Sequence, residues 1–201
     1  MRPDFVFFDL GNVLLYFDHC LAMRKMARVA GVTADQMRSI VLDGTLQVEY
    51  ETGWISGVQF VSRISDSIGR DLDVADMLQA AADMFVPNPH ILPVLEKIRE
   101  LGIPMGLLSN TCEAHWKWIV EIGYPQVRGW FAPVILSYEV RSMKPDAHIY
   151  DEAQRHSGHD APRIFFTDDR AENVEAAKQA GWMAEVFVNA DRLMDTVELW
   201  Q

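Results

Sequence analysis

Phe5-Val6-Phe7-Phe8 is an apolar run that stops at Asp9 and turns through Leu10-Gly11-Asn12. A second run, Ile164-Phe165-Phe166-Thr167, stops at Asp168-Asp169 in the same manner. Short aromatic and β-branched runs flanked by helical patterns read as buried strands of a parallel sheet. Ligands of such sheets bind beyond the carboxyl ends of the strands. The two runs thus deliver acids to one edge, where carboxylates repel unless a cation sits between them. Hard oxygen ligands favour Mg²⁺. Taken singly, either aspartate also reads as a helix N-cap.

Working outward, the remainder divides into a helical stretch and an alternating one. Residues 16 to 85 carry helical signals and no convincing strand. Thr33-Ala34-Asp35-Gln36 and Ser56-Gly57-Val58-Gln59 fit the capping box that opens helices. Phe60, Ile64 and Ile68 recur at helical spacing up to Gly69, and Asp73 reads as the N-cap of a helix running to Met84. Pro87-Asn88-Pro89 breaks the pattern. From there strand and helix alternate. Ile91, Leu92, Leu95, Ile98 and Leu101 form a helix stripe closed by Gly102, followed by strands at Met105–Leu108 and Val134–Leu136. After Asp169, Val174, Ala177 and Lys178 lie on a helix that Gly181 ends, before a last strand at Ala184–Val188. The expected fold is a doubly wound, Rossmann-like α/β core of about five parallel strands, with a helical insert. Residues 1–15 and 86–201 make the core, and 16–85 the insert.

Composition bounds the class. The 201 residues suffice for one full core, and 49% hydrophobic with 23% charged residues is ordinary for a globular protein. A net charge of −11 argues against a nucleic-acid surface or an anionic-membrane anchor. An anionic substrate must then find its positive charge locally. No apolar stretch reaches transmembrane length, and no basic segment followed by an apolar one opens the chain. Cys20 and Cys112 make no disulfide framework, so the expectation is a cytoplasmic protein with free thiols.

The chemistry falls on strand and helix ends. Asp9 is the candidate nucleophile, since a carboxylate can attack phosphorus and form an aspartyl-phosphate. Ser109 and Asn110 follow a strand, where hydroxyl, amide and backbone N–H groups can hold a phosphoryl oxygen. Lys144 supplies a point charge, and Pro145 helps fix where its helix begins. Asp168 and Asp169 complete the cation site with Asp9. Cys112 has no histidine at a spacing that suggests a base, and the histidines show no metal-ligand spacing. His115 and His148 flank two of these stretches. Glu49, Tyr50 and Trp54 lie where an insert helix can reach the site or simply pack.

These stretches, FFDLGNVLL (7–15), LLSNT (107–111), MKPDAHIY (143–150) and FFTDDRAENVEAA (165–177), resemble the four motifs of the haloacid dehalogenase-like hydrolase superfamily. The resemblance spans nearly the whole chain, with residues 16–85 similar to its helical C1-type cap. DLGNV, SNT and KPDAHIY look most like the branch of bacterial sugar-phosphate phosphatases that includes α-D-glucose-1-phosphate phosphatase. The resemblance implies Asp9 as nucleophile and metal ligand, Asp169 as second side-chain ligand, and Asp168 as support for it and for Lys144. Ser109, Asn110 and Lys144 would bind the phosphoryl group. It also implies a monomer or homodimer acting on a small-molecule phosphate ester with Mg²⁺.

One departure bears on mechanism. The superfamily's phosphatases carry an acid–base aspartate two residues after the nucleophile, and here that position is Gly11. Its carbonyl can still ligate Mg²⁺, but side-chain proton transfer, worth about 10²–10⁴-fold, is lost. Either the leaving group is acidic enough to depart with help from water, as an anomeric phosphate does better than an alkyl one, or the protein is a catalytically weak binding protein. A 2-haloacid dehalogenase needs no metal and has no use for the pair Asp168-Asp169.

Overall fold

The structure, a computed structural model, describes residues 1–200. In chain order the elements are β1 (Phe5–Phe8), β2 (Leu15–Phe17), α1 (His19–Ala30), α2 (Ala34–Leu42), α3 (Leu46–Glu51), α4 (Gly57–Ile68), α5 (Val74–Ala82) and β3 (Phe85–Pro87). There follow α6 (Leu92–Glu100), β4 (Met105–Ser109), α7 (Glu113–Ile122), β5 (Val134–Leu136), α8 (Ser137–Val140) and α9 (Ala147–Ser157). The chain closes with β6 (Ile164–Asp168), α10 (Ala171–Gln179), β7 (Met183–Val186) and α11 (Ala190–Glu198).

Five strands form one parallel sheet in the order β5-β4-β1-β6-β7. The chain moves outward from β1 through β4 and β5, then returns to the other side of β1 for β6 and β7. A crevice opens where the direction switches, at the carboxyl end of β1. The fully apolar β1 is explained by cover on both faces. Val6 and Phe8 enter a cluster with Leu95, Ile98, Leu193 and Val197 of α6 and α11. Phe5 and Phe7 enter another with Ile149 and Tyr150 of α9, Ala177 of α10 and Trp182. Side chains two apart share a face, so one strand feeds both cores.

The helices α1 to α5 enclose a separate cluster built on Met26, Met37, Phe60, Ile64 and Met77. Both expected capping boxes are made: Thr33 and Ser56 accept from the N–H groups of Gln36 and Gln59, whose side chains accept in return. Asp73 caps α5 by accepting from the Asp76 N–H.

Three local expectations are corrected. Residues 15–17 and 85–87 are strands, paired antiparallel where the chain leaves and re-enters the α/β core. At three residues each they are too short for a period-2 pattern to register. Pro87 ends one of them rather than only breaking a helix. The last strand begins at Met183 and stops at Val186, because Phe187 turns inward to donate its N–H to the Asp168 carbonyl. Helix α9 starts later than Pro145 suggests, since Asp146 is its N-cap and accepts from the His148 N–H at 2.8 Å.

Truncating the fully buried Phe7 should be felt throughout the sheet. Phe7→Ala is expected to destabilise by about 3–5 kcal/mol in urea unfolding. Val188→Ala, at a position 71% exposed, should stay within about 0.5 kcal/mol.

Candidate active site

Lys144 organises the carboxyl edge of the sheet. It precedes α9, and its side chain runs inward to place Nζ between the ends of β1 and β6. That ammonium donates to Asp9 Oδ1 at 2.6 Å, Asp168 Oδ2 at 2.6 Å and the Leu108 carbonyl at 2.8 Å. An ammonium has three N–H donors, and all three are engaged. Of the two partners expected for its charge, the nucleophile and the phosphate, the geometry shows the first, with Nζ on Asp9 while Lys144 also lines the cavity.

Asp168 is fully buried, and its two oxygens accept from Lys144, from the Arg170 N–H at 2.8 Å and from the Asn173 amide at 3.0 Å. A carboxylate so engaged supports its neighbours, the role the resemblance implies for it, while staying in the acidic cluster with Asp9 and Asp169. Asp169 stands differently. Its Oδ2 accepts from the Asn12 amide at 2.8 Å, and the side chain reaches the cavity. Asn12 sits in the left-handed region, at φ 56°, which asparagine tolerates better than most residues. The turn after β1 thereby aims the acid that follows β6.

Ser109 is buried at the end of β4 and lines the cavity. The Asn110 amide donates to the Lys144 carbonyl and accepts from the Lys144 N–H, both at 2.8 Å. This amide holds the lysine loop, and Asn110 also lines the cavity. Asn173 and Asn12 are site residues that sequence reasoning did not assign. A buried asparagine beside Val174 and Ala177 on the apolar face of α10 was the available signal for Asn173.

Carboxylate oxygens of Asp9, Asp168 and Asp169 lie within 4.8 Å of one another. Three acids against one ammonium leave the cluster two negative charges in excess. Burial pushes Asp9 up to about 7, with Lys144 pulling it down and Asp168 adding repulsion. Burial opposes the charge on Lys144, yet Asp9 and Asp168 outweigh it and hold its pKa above the ordinary lysine value. A hard divalent cation held by Asp9, Asp169 and the Gly11 carbonyl fits this donor set and this charge.

A cavity of about 160 Å³ opens over the cluster. The core side contributes Asp9, Gly11, Ser109, Lys144 and Asp169, and the helical side contributes His19, Gln47, Glu51 and Met84. His115 of α7 also lines it, and burial, with His19 adding to it, pushes its pKa down to about 4. His148 is exposed and does not line it. Cys112 is buried, and burial drives its thiol up to about 12, which excludes a thiolate nucleophile at neutral pH. Of the insert residues singled out from the sequence, Glu49 pairs with Arg63, Tyr50 stacks on Phe60 at 4.7 Å, and Trp54 is exposed.

The model of haloacid dehalogenase-like hydrolases matches residues 3–181. The chain belongs to that family. Pyrimidine 5'-nucleotidase YjjG of Escherichia coli (strain K12) is 26% identical over 200 residues, 94% of this chain and 88% of that protein. D-ribitol-5-phosphate phosphatase of Bacteroides thetaiotaomicron is 25% identical over 183 residues, 88% of each chain. A HAD family enzyme of Bacteroides thetaiotaomicron, solved in complex with magnesium and inorganic phosphate, superposes with a TM-score of 0.79 at 26% identity, covering 92% of this chain and 93% of that one. Among the described residues no helix is long and apolar enough to cross a membrane.

Removing the ammonium leaves buried acids uncompensated. Lys144→Met should cost about 3–5 kcal/mol in urea unfolding with chelator near neutral pH. The deficit should shrink toward about pH 5. A carboxyl whose folded pKa is raised binds more protons folded than unfolded between its ordinary value and the raised one, so stability falls as pH climbs through that window.

Proposed function

We propose that this chain hydrolyses a small phosphate ester by transferring the phosphoryl group to Asp9 and then to water, with Mg²⁺ as cofactor. The carrying observation is the buried Lys144 ammonium that binds Asp9 and Asp168 together beside Asp169, at the floor of an open cavity. One Asp9 oxygen is fixed by Lys144, which aims the carboxylate for in-line attack on phosphorus. Asp9, Asp169 and the Gly11 carbonyl would hold Mg²⁺, which when bound neutralises charge on the phosphoryl oxygens. Ser109 and the N–H groups at the start of the loop after β4 offer donors to those oxygens.

The family and the phosphatase relatives support a magnesium-dependent phosphatase. The size of the cavity supports a small metabolite, and its polar lining of His19, Gln47, Glu51 and His115 suits a hydroxylated one such as a sugar or polyol phosphate. An anomeric sugar phosphate, to which the DLGNV resemblance points, falls within that class. We take residues 16–85 as the cap that selects among such substrates, because they supply the upper wall of the cavity.

Asp9→Asn keeps the side chain's shape and removes its attacking charge. Hydrolysis of a panel of sugar and polyol phosphates should drop to background. In the unaltered protein, chelator should abolish turnover and Mg²⁺ restore it, while Asp169→Asn should raise the Mg²⁺ concentration required. Undiminished hydrolysis in chelator contradicts the role given to Mg²⁺, and a panel left uncleaved contradicts the phosphatase reading.

A further inference from the structure

We propose that Glu51, at the end of α3, gives the proton to the leaving oxygen and later takes one from the attacking water. This rests on the phosphatase reading above and deepens it. An alkoxide departs poorly without a proton, and the core side of the cavity has none to offer. Asp9 is the nucleophile, Asp169 is tied to Asn12, and every N–H of Lys144 is engaged. Position 11 cannot help. A Cβ there would lie 2.6 Å from Cε1 of Phe17, so the ring of β2 occupies the space a side chain would need.

Glu51 lines the same cavity as Asp9. Its backbone is clamped to the core. The buried Ser137 hydroxyl lies 2.6 Å from the Glu51 carbonyl and accepts from the Thr111 N–H at 2.9 Å. Two residues on, Gly53 adopts φ 69° and passes so close to the Tyr138 carbonyl that a Cβ would meet its oxygen at 2.1 Å. Only glycine allows that approach. The carboxyl is therefore presented by a fixed turn, not a loose helix end.

Its surroundings favour the protonated carboxyl more than water does. Burial raises its pKa, while the Gln47 amide, donating at 2.6 Å, and Arg170 oppose the rise. The other ionisable groups lining the cavities it borders are Cys112 just before α7, His115 of α7, His19 of α1, Tyr50 of α3, and Asp9, Lys144, Asp169 and Arg170 of the core. Burial keeps both histidines below the ordinary imidazole value, so they are neutral and poor acids there.

The steps balance. As Asp9 Oδ bonds to phosphorus and the ester P–O bond breaks, the Glu51 proton passes to the leaving oxygen and releases an alcohol. Water then attacks phosphorus and the Asp9–phosphorus bond breaks. Glu51 takes the water's proton, inorganic phosphate departs, and both carboxyl groups are restored. An acid supplied from the helical side removes the need for an intrinsically good leaving group that Gly11 alone would impose.

The test compares kcat/KM across pH for the unaltered protein and Glu51→Gln, both with Mg²⁺, on p-nitrophenyl phosphate and on a polyol phosphate. Nitrophenolate needs little help to leave; an alkoxide needs a proton. Glu51→Gln should lose about 10²–10⁴-fold on the polyol ester but no more than about tenfold on the nitrophenyl ester. The alkaline limb of the polyol profile, set by loss of the Glu51 proton, should vanish in the variant. Equal losses on both esters, or none on either, overturn the role of Glu51 and leave the phosphatase reading intact. No cleavage of either ester by the unaltered protein overturns the phosphatase reading and this role together.

Discussion

A lysine ammonium buried between two aspartates ties together the three segments on which everything else depends. Asp9 ends β1, Asp168 ends β6, and Lys144 arrives from the loop before α9, so one cation fixes the relative positions of parts 24 and 135 residues away in sequence. Desolvating these charges is costly, and the geometry offsets that cost only because every N–H of the lysine and every oxygen of Asp168 finds a partner. Asn110 and Asn173 belong to this arrangement. One holds the lysine backbone, and the other holds Asp168. The arrangement remains short of positive charge, with three acids to one base, and that deficit is what a divalent cation would meet.

The α/β core was legible because parallel strands covered on both faces are written as unbroken apolar runs, and Phe5–Phe8 and Ile164–Thr167 are such runs. The capped helices were legible because Thr33 and Ser56 satisfy orphan N–H groups through local chemistry alone. The β2–β3 ribbon was not, since its strands are three residues long and their pairing joins residues 15–17 to 85–87. At the site, Asp9, Asp168 and Asp169 were readable from strand ends and Lys144 from a helix start. The division of labour among them was not. That Asp168 is saturated while Asp169 faces the cavity, and that the Asn110 amide serves the lysine loop, depends on hydrogen bonds between segments distant in sequence.

Glu51 illustrates the same boundary. Sequence reading weighed Glu49, Tyr50 and Trp54 as residues able to reach the site, and passed over their neighbour. Residues two apart on a helix point about 200° apart, so choosing between Glu49 and Glu51 requires knowing which face of α3 meets the core. The clamp of Ser137 and the turn at Gly53 decide it. Gly11, which from sequence alone is an absence, becomes in the structure one half of a packing contact with Phe17. The small residue and the aromatic ring are complementary, and the cavity is completed from the helical side.

The mechanism turns on the phosphorylation of Asp9 during turnover. The most direct measurement is borohydride trapping during hydrolysis of p-nitrophenyl phosphate with Mg²⁺, followed by mass spectrometry of the peptide that contains residue 9. Reduction of an aspartyl-phosphate yields homoserine, and the account predicts homoserine at position 9, dependent on substrate and absent when chelator is added. Active hydrolysis with position 9 left as unmodified aspartate, or with homoserine appearing at another acidic position, would contradict it.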